Sequence, residues 1–272
     1  MTQRRLEEDL RRLGVREGGV LMVHTRMSAL GWVVGGSETV VRALLGALGP
    51  GGTLAAYASW EEHVYGPEDR PPEHRDAYVA DPPVFHPATA EAVRAHGRIP
   101  ERIRTWPGAH ASAHPEARVV AIGARAGRLC AEHPDDDGYG PRSPFARLVE
   151  AGGQVLMLGA PLETVTLLHH AEAMARVPGK RAVTYRLLVE SGDGSVSERE
   201  YTDLDTSGGA LPYGRLGLAE DEFAVIGRDA LAAGIGAQGR VGAADCVLFG
   251  APDLLWFAVR WLEARFGPDA QA

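Results

Sequence analysis

The sequence predicts an α/β fold, a mixed sheet covered by helices on both faces, spanning residues 1–272 as a single domain. Three observations carry this. Short apolar runs, Val20 to His24, Thr53 to Ala58 and Val155 to Leu158, read as strands buried on both faces. Helical patterns alternate with them, the rhythm that builds a covered sheet. Late in the chain, Ala182 to Glu190 and Ser195 to Tyr201 flank Ser191-Gly192-Asp193-Gly194 and read as a hairpin, which brings antiparallel pairing. No composition shift marks a domain boundary, and 272 residues suffice to bury one large core.

The elements follow in order. MTQRRLEEDLRRLGV is a charged amphipathic helix with Leu6, Leu10 and Leu13 on one face and Gly14 as its stop. After the first strand, Ser37 is placed to cap a helix carrying Val40, Val41, Leu44, Leu45 and Leu48, ended by Gly49-Pro50-Gly51-Gly52. The strand Thr53 to Ala58 leads into a long polar loop at 60–87, a length that in a compact domain signals function. Ala88 to His96 reads as a short helix, Arg118 to Ile122 as a strand, and a helix then runs through Cys130. Ser143 and Pro144 occupy the favoured cap and first positions of another helix. Beyond the hairpin come a helix near 218–233, a strand Asp245 to Phe249 and a helix Asp253 to Phe266.

Charge narrows the partners. The formal net charge of −8 argues against nucleic acid. Residues 60–87 hold seven carboxylates against Arg70 and Arg75. Asp135 to Asp137 form a second acidic cluster, and Glu198, Glu200, Asp203 and Asp205 a third. Such clusters are commonly a solvated face, but converging on one cleft they would hold a small polycation. No apolar run approaches the roughly 20 residues of a membrane span. The N-terminal segment has no apolar signal core, so a cytoplasmic location is expected. Cys130 and Cys246 are isolated, which suits reduced thiols and offers no zinc spacing.

The stretch QVLMLGAPLETVTLLHHAEAMAR, 154–176, concentrates the chemistry. An apolar strand turns through Gly159 and Pro161 into a helix that is apolar nearly all round, as buried helices are. At 100° per residue, Thr166, His169 and Glu172 line one face of it. A carboxylate one turn from a histidine fixes its tautomer and raises its basicity, which makes a general base. A satisfied core histidine is the plainer alternative. His114 is the rival base, although its Ala-His-Pro setting reads as a turn. No G-x-G-x-x-G follows a strand, and neither a Walker loop nor a G-x-S-x-G elbow is present. The loop His24 to Gly31 leaves a strand end, where α/β ligands normally sit.

On these segments the sequence resembles the aminoglycoside 3-N-acetyltransferases, and most closely the type III enzymes. The matching pieces are VHTRMSALGWVVGG at 23–36, ALGPGGTLAAYASW at 47–60, FHPATAEAVR at 85–94, RTWPGAHASAHPEA at 104–117, GYGPRSPFARLV at 138–149, VLMLGAPLETVTLLHHAE at 155–172, YTDLDT at 201–206 and DLLWFAVRWLEARFG at 253–267. The resemblance implies acetyl transfer from acetyl-coenzyme A, without a metal, to the 3-amine of a 2-deoxystreptamine ring. It implies a mixed α/β fold unlike that of the commoner small acetyltransferases. His169 falls on the family's catalytic histidine with Glu172 beside it, Thr166 on a threonine near the thioester, and Asp203 and Asp205 on acidic residues that meet the substrate. The coenzyme is expected along Ser28, Ala29, Leu30 and Gly31 and along Arg104, Trp106, Ser112 and His114. Trp60, Glu61, Glu62, Asp76 and Tyr78 of the acidic loop are further candidate substrate contacts; for Trp60, a core position fits an aromatic side chain as well.

Two positions depart from the family pattern. His86 stands where Phe-Asp-Pro is usual, and Ala111 stands where an arginine usually precedes the serine. Arg102 and Arg104 are the candidate replacements for that guanidinium. Two rival functions remain in view: a metal-dependent hydrolase with His169 and Glu172 as ligands and a third from His24 or His110, and a non-catalytic binder of cationic antibiotics.

Overall fold

In the computed structural model the described residues are 1–60, 70–206 and 209–268. Their strands are β1 (Val20–Thr25), β2 (Thr53–Tyr57), β3 (Val84–Phe85), β4 (His110–Ala111), β5 (Val119–Gly123), β6 (Gln154–Leu158), β7 (Ala182–Glu190), β8 (Val196–Leu204), β9 (Ala237–Val241) and β10 (Ala244–Gly250). Their helices are α1 (Gln3–Leu13), α2 (Gly36–Leu48), α3 (Pro72–Ala80), α4 (Arg98–Arg104), α5 (Ala126–Cys130), α6 (Pro144–Glu150), α7 (Leu167–Met174), α8 (Glu222–Ala232) and α9 (Ala251–Phe266). The central sheet runs β4-β5-β2-β1-β6-β10-β9 and is mixed: β1 pairs parallel with β2 and β6, and the outer strands pair antiparallel.

Period-two geometry explains the unbroken apolar runs. In β1, Val20 and Met22 enter one core while Leu21 and Val23 enter another; in β6, Val155 and Met157 oppose Leu156 and Leu158 in the same way. One core lies against α5, α6, α7 and α9, the other against α1, α2 and α4. Both faces are therefore covered, as the sequence predicts.

The parallel register sets His24 opposite Met157 and Thr25 opposite Leu158, so the chain leaves β1 and β6 at the same sheet end. There Arg26 N–H donates to Leu158 O at 3.1 Å. Gly159 makes the crossing possible. Its φ is +69°, and a Cβ built on it would stand 2.6 Å from that of Ala29.

Several local expectations are corrected. The hairpin β7–β8 joins β3 in a separate three-stranded sheet, over a third core of Trp60, Phe85, Tyr185, Leu187, Val189 and Tyr201. Its alternating pattern leaves one face in solvent, which the doubly covered central sheet does not allow. Ser37 lies inside α2, whose cap is Gly35 in the left-handed region. Within 60–87, residues 72–80 form helix α3 with proline in its first turn, and 61–69 fall outside the described residues. Ala88 to His96 is no α-helix: Ala92 bridges to Trp60 and donates its N–H to Glu101 Oε2 at 3.1 Å, which holds it extended. The helix comes later, as α4. Strand β9, Ala-Gln-Gly-Arg-Val, lies at the sheet edge, where exposure removes the apolar pattern that would have revealed it.

Candidate active site

The loops leaving β1 and β6 wall a cavity of about 670 Å³ together with Tyr57, His96, Arg98 and Phe223. Thr25, Arg26, Met27 and Ser28 form one side, and Pro161, Thr164, Thr166 and His169 the other. His24 also lines it; burial, then His96, pushes its imidazole down to about 4, so it is neutral. Among the described residues its Nε2 has no hydrogen-bond partner.

His169 sits in the first turn of α7, with its Nδ1 2.7 Å from Glu172 Oε2. Glu172 is 2% exposed, and its other oxygen accepts the Tyr213 hydroxyl at 2.7 Å. A carboxylate accepting at Nδ1 assigns the ring proton there and leaves Nε2 as the basic nitrogen. The imidazole is held between Tyr139, at a centroid distance of 5.0 Å, and Phe223, at 4.7 Å. Thr166 precedes α7 rather than lying in it, is 7% exposed, and lines the same cavity.

Tyr213, Tyr139, Phe223 and Glu116 escaped sequence reasoning. Tyr57 OH donates to Glu116 Oε1 at 3.3 Å and meets Tyr139 OH at 3.1 Å. Burial raises the Glu116 carboxyl, and Glu116 is close enough to feel the charge of His169. Nothing in local spacing reveals these partners, since Glu116, Tyr139 and Tyr213 reach the histidine only through tertiary structure.

The remaining candidates divide. Ser28 lines the cavity, Ala29 packs on Gly159, Leu30 is core, and Gly31 ends the turn. Arg104 holds Glu101 at 2.6 Å, and Arg102 pairs with Glu38 at 2.5 Å. Both guanidinia are thus engaged, rather than turned toward the position where the family arginine is replaced by Ala111. Trp106 packs its ring under Arg42 and Arg102. Ser112 and His114 are fully buried. Ser112 Oγ accepts from Val119 N–H at 2.9 Å and contacts His133 Nδ1 at 3.0 Å. His114 Nδ1 accepts from Ala117 N–H at 3.0 Å, which assigns its proton to Nε2, 3.3 Å from Asp203 Oδ2. Without exposure and with its lone pair used, His114 is no rival base.

Asp203 is 5% exposed, and burial, then Glu116, pushes its carboxyl up to about 8. It is therefore an interior acid, because β8 turns it inward, whereas the resemblance implied a carboxylate that meets the substrate. Asp205 is half-buried and lies 3.9 Å from Arg181. Trp60 is 7% exposed and packs on Phe85, so it is core. Asp76 and Tyr78 ride on α3, which buries no residue, with the Tyr78 ring under Arg70. Glu61 and Glu62 lie outside the described residues. The other acidic clusters are largely neutralised: Asp135 by Arg199, Asp136 and Asp137 by Arg142, and Glu200 by Arg186. His86 bonds Glu190 at 2.8 Å, a pairing that the family's aspartate could not make with another carboxylate.

A helix-covered mixed sheet with a histidine–carboxylate pair at the parallel strand ends defines the class. The family profile described as aminoglycoside 3-N-acetyltransferase matches residues 22–263. Aminoglycoside N(3)-acetyltransferase VIII of Streptomyces fradiae is 51% identical, over 99% of this chain and 94% of its own. The crystal structure of aminoglycoside acetyltransferase AAC(3)-Xa superposes with a TM-score of 0.93 at 47% identity, covering 98% of this chain and 94% of that one. The AAC-IIIb binary structure with CoASH superposes at 0.89 and 44% identity, covering 98% of each chain. The chain belongs to the aminoglycoside 3-N-acetyltransferase family.

Proposed function

We propose that this protein, folded as one domain, transfers the acetyl group of acetyl-coenzyme A to the 3-amine of the 2-deoxystreptamine ring of aminoglycoside antibiotics, and so confers resistance. The observation that carries the catalytic reading is the 2.7 Å contact between His169 and buried Glu172 at the wall of the strand-end cavity. An ammonium has no lone pair, so the amine must lose a proton to attack. His169 Nε2 takes that proton while Glu172, accepting from Nδ1–H, holds the tautomer and stabilises the imidazolium. The amine nitrogen then bonds to the thioester carbonyl carbon and loses its second proton to water, the carbon–sulfur bond breaks, and the His169 imidazolium returns its proton to the leaving sulfur to release the thiol. The Thr166 hydroxyl is the donor available to the carbonyl oxygen as charge develops there.

Arg26 and Arg98, both on the cavity wall, give it the positive charge that a phosphate-bearing coenzyme requires. They take this role beside Ser28 and the surface of Trp106, in place of the missing arginine at Ala111. Asp205 and α3, with Asp76 and Tyr78, are the antibiotic-facing candidates. Among the described residues no helix is long and apolar enough to cross a membrane, and a cytoplasmic site suits the coenzyme supply.

The hydrolase alternative needs His169 and Glu172 to face one ion together; instead they are bonded to each other. A thiol-release assay with acetyl-coenzyme A over a panel of aminoglycosides tests the proposal. Antibiotic-dependent release of one thiol per acetylated amine is expected. Antibiotic binding without release would leave the non-catalytic binder.

A further inference from the structure

The catalytic pair has a third member that no sequence motif marks. Glu172 is faced from several elements: by His169 on its own helix, by Tyr213 from the 3₁₀ turn Tyr213–Leu216, and electrostatically by Lys180 and by Glu222 of α8. Among the described residues, His169 and Tyr213 make side-chain hydrogen bonds to it, one to each carboxylate oxygen, both at 2.7 Å. The Tyr213 ring is 8% exposed and stands perpendicular to Phe266 at 5.4 Å, so its hydroxyl has little freedom to turn away. Burial, then the charge of Glu172, holds the phenol well above its ordinary range, so it is a permanent donor.

We infer that Tyr213 is a positioning residue of the acyltransferase: its hydroxyl clamps Glu172 Oε1, fixes the carboxylate plane, and so presents Oε2 to His169 Nδ1–H. This rests on the reading of His169 as the base. No proton passes to or from Tyr213. A carboxylate bound at one oxygen alone is free to rotate about its terminal torsion, which is broad and soft. Bound at both, it holds the imidazole in the tautomer whose Nε2 faces the cavity. The hydroxyl also shares the negative charge of Glu172, which moderates how strongly that charge favours the imidazolium.

Tyr213→Phe in the full chain keeps the ring and removes the donor. The expected result is a kcat lower by about 10-fold, the scale of a lost hydrogen bond to a charged group. KM for acetyl-coenzyme A should be unchanged. The acid limb of the kcat/KM profile should move to higher pH, because the unshared Glu172 charge holds a proton on His169 more tightly. A purely structural role would lower the melting temperature and leave that limb in place, and this outcome, like wild-type kcat, overturns the inference. A second arm guards against a folding artefact. In a Glu172→Gln background, Tyr213→Phe should alter kcat by less than about twofold, since coupled residues are not additive; a full independent loss overturns the clamp. If His169→Ala and Glu172→Gln themselves turn over normally, the base reading fails. If they are inactive and Tyr213→Phe is not impaired, only the clamp fails.

Discussion

The Tyr139 ring packs at a tilt against that of His169, with centroids 5.0 Å apart, while its backbone carbonyl accepts from the neighbouring His170 Nδ1 at 2.6 Å. One residue thus supports both histidines of the Leu-His-His segment, and its own hydroxyl ties the support to Tyr57. Tyr139→Phe keeps the ring and loses one hydroxyl contact, so it should cost about 1 kcal/mol of stability and leave kcat within about threefold. Tyr139→Ala removes a fully buried aromatic and should cost about 3–5 kcal/mol. Urea unfolding alongside rate measurements checks both; equal effects from the two changes would contradict a packing role.

Asp205 carries the expectation of charge recognition that Asp203 cannot. Asp205→Asn should lower kcat/KM for the antibiotic by about 10-fold, the factor that 1.4 kcal/mol supplies. Melting temperature and coenzyme affinity should stay the same. Its pairing with Arg181 offers the competing account, in which the fold loses stability and the kinetics do not change. Steady-state kinetics and a melt on the same preparation separate the two.

Buried titratable groups give stability two opposed pH dependences. Burial pushes His133 down to about 4, so the folded state resists a proton that the unfolded chain accepts near 6.5. Its contribution is present above 6.5 and lost as pH falls toward 4, by at most about 3 kcal/mol. Asp203 works the other way. Its folded carboxyl is raised to about 8, so its contribution is present below the unfolded value near 4 and declines as pH rises to 8. His133→Gln should therefore gain stability relative to wild type at pH 5 compared with pH 7.5. Asp203→Asn should gain at pH 8 compared with pH 5. Denaturant titrations at those pH values are decisive, and parallel pH profiles for wild type and both variants would contradict these assignments.

What the chain declares in its sequence is what local periodicity can carry. The strands of the central sheet announce themselves because both faces are covered, and α1 and α9 because their apolar stripes are long. His169 and Glu172 are legible because three residues along a helix is a local relation. Helix α3 and strand β9 are not, since each is exposed and lacks an apolar pattern. Asp203 misleads for the same reason: its acidic neighbours suggest a surface loop, whereas alternation along β8 turns its side chain into the interior with His114. Glu116 and Tyr213 lie far along the chain from His169, and only the fold brings them close.

Proton removal from the amine is assigned to His169, and one measurement decides that assignment. His169→Ala should be assayed for antibiotic-dependent thiol release while coenzyme A binding is followed by calorimetric titration. The expected result is a rate lower by about 10²–10⁴-fold, the usual contribution of a general base, with coenzyme affinity nearly intact. A variant that binds coenzyme normally and retains most of its kcat would contradict the assignment and place proton transfer elsewhere in the cleft.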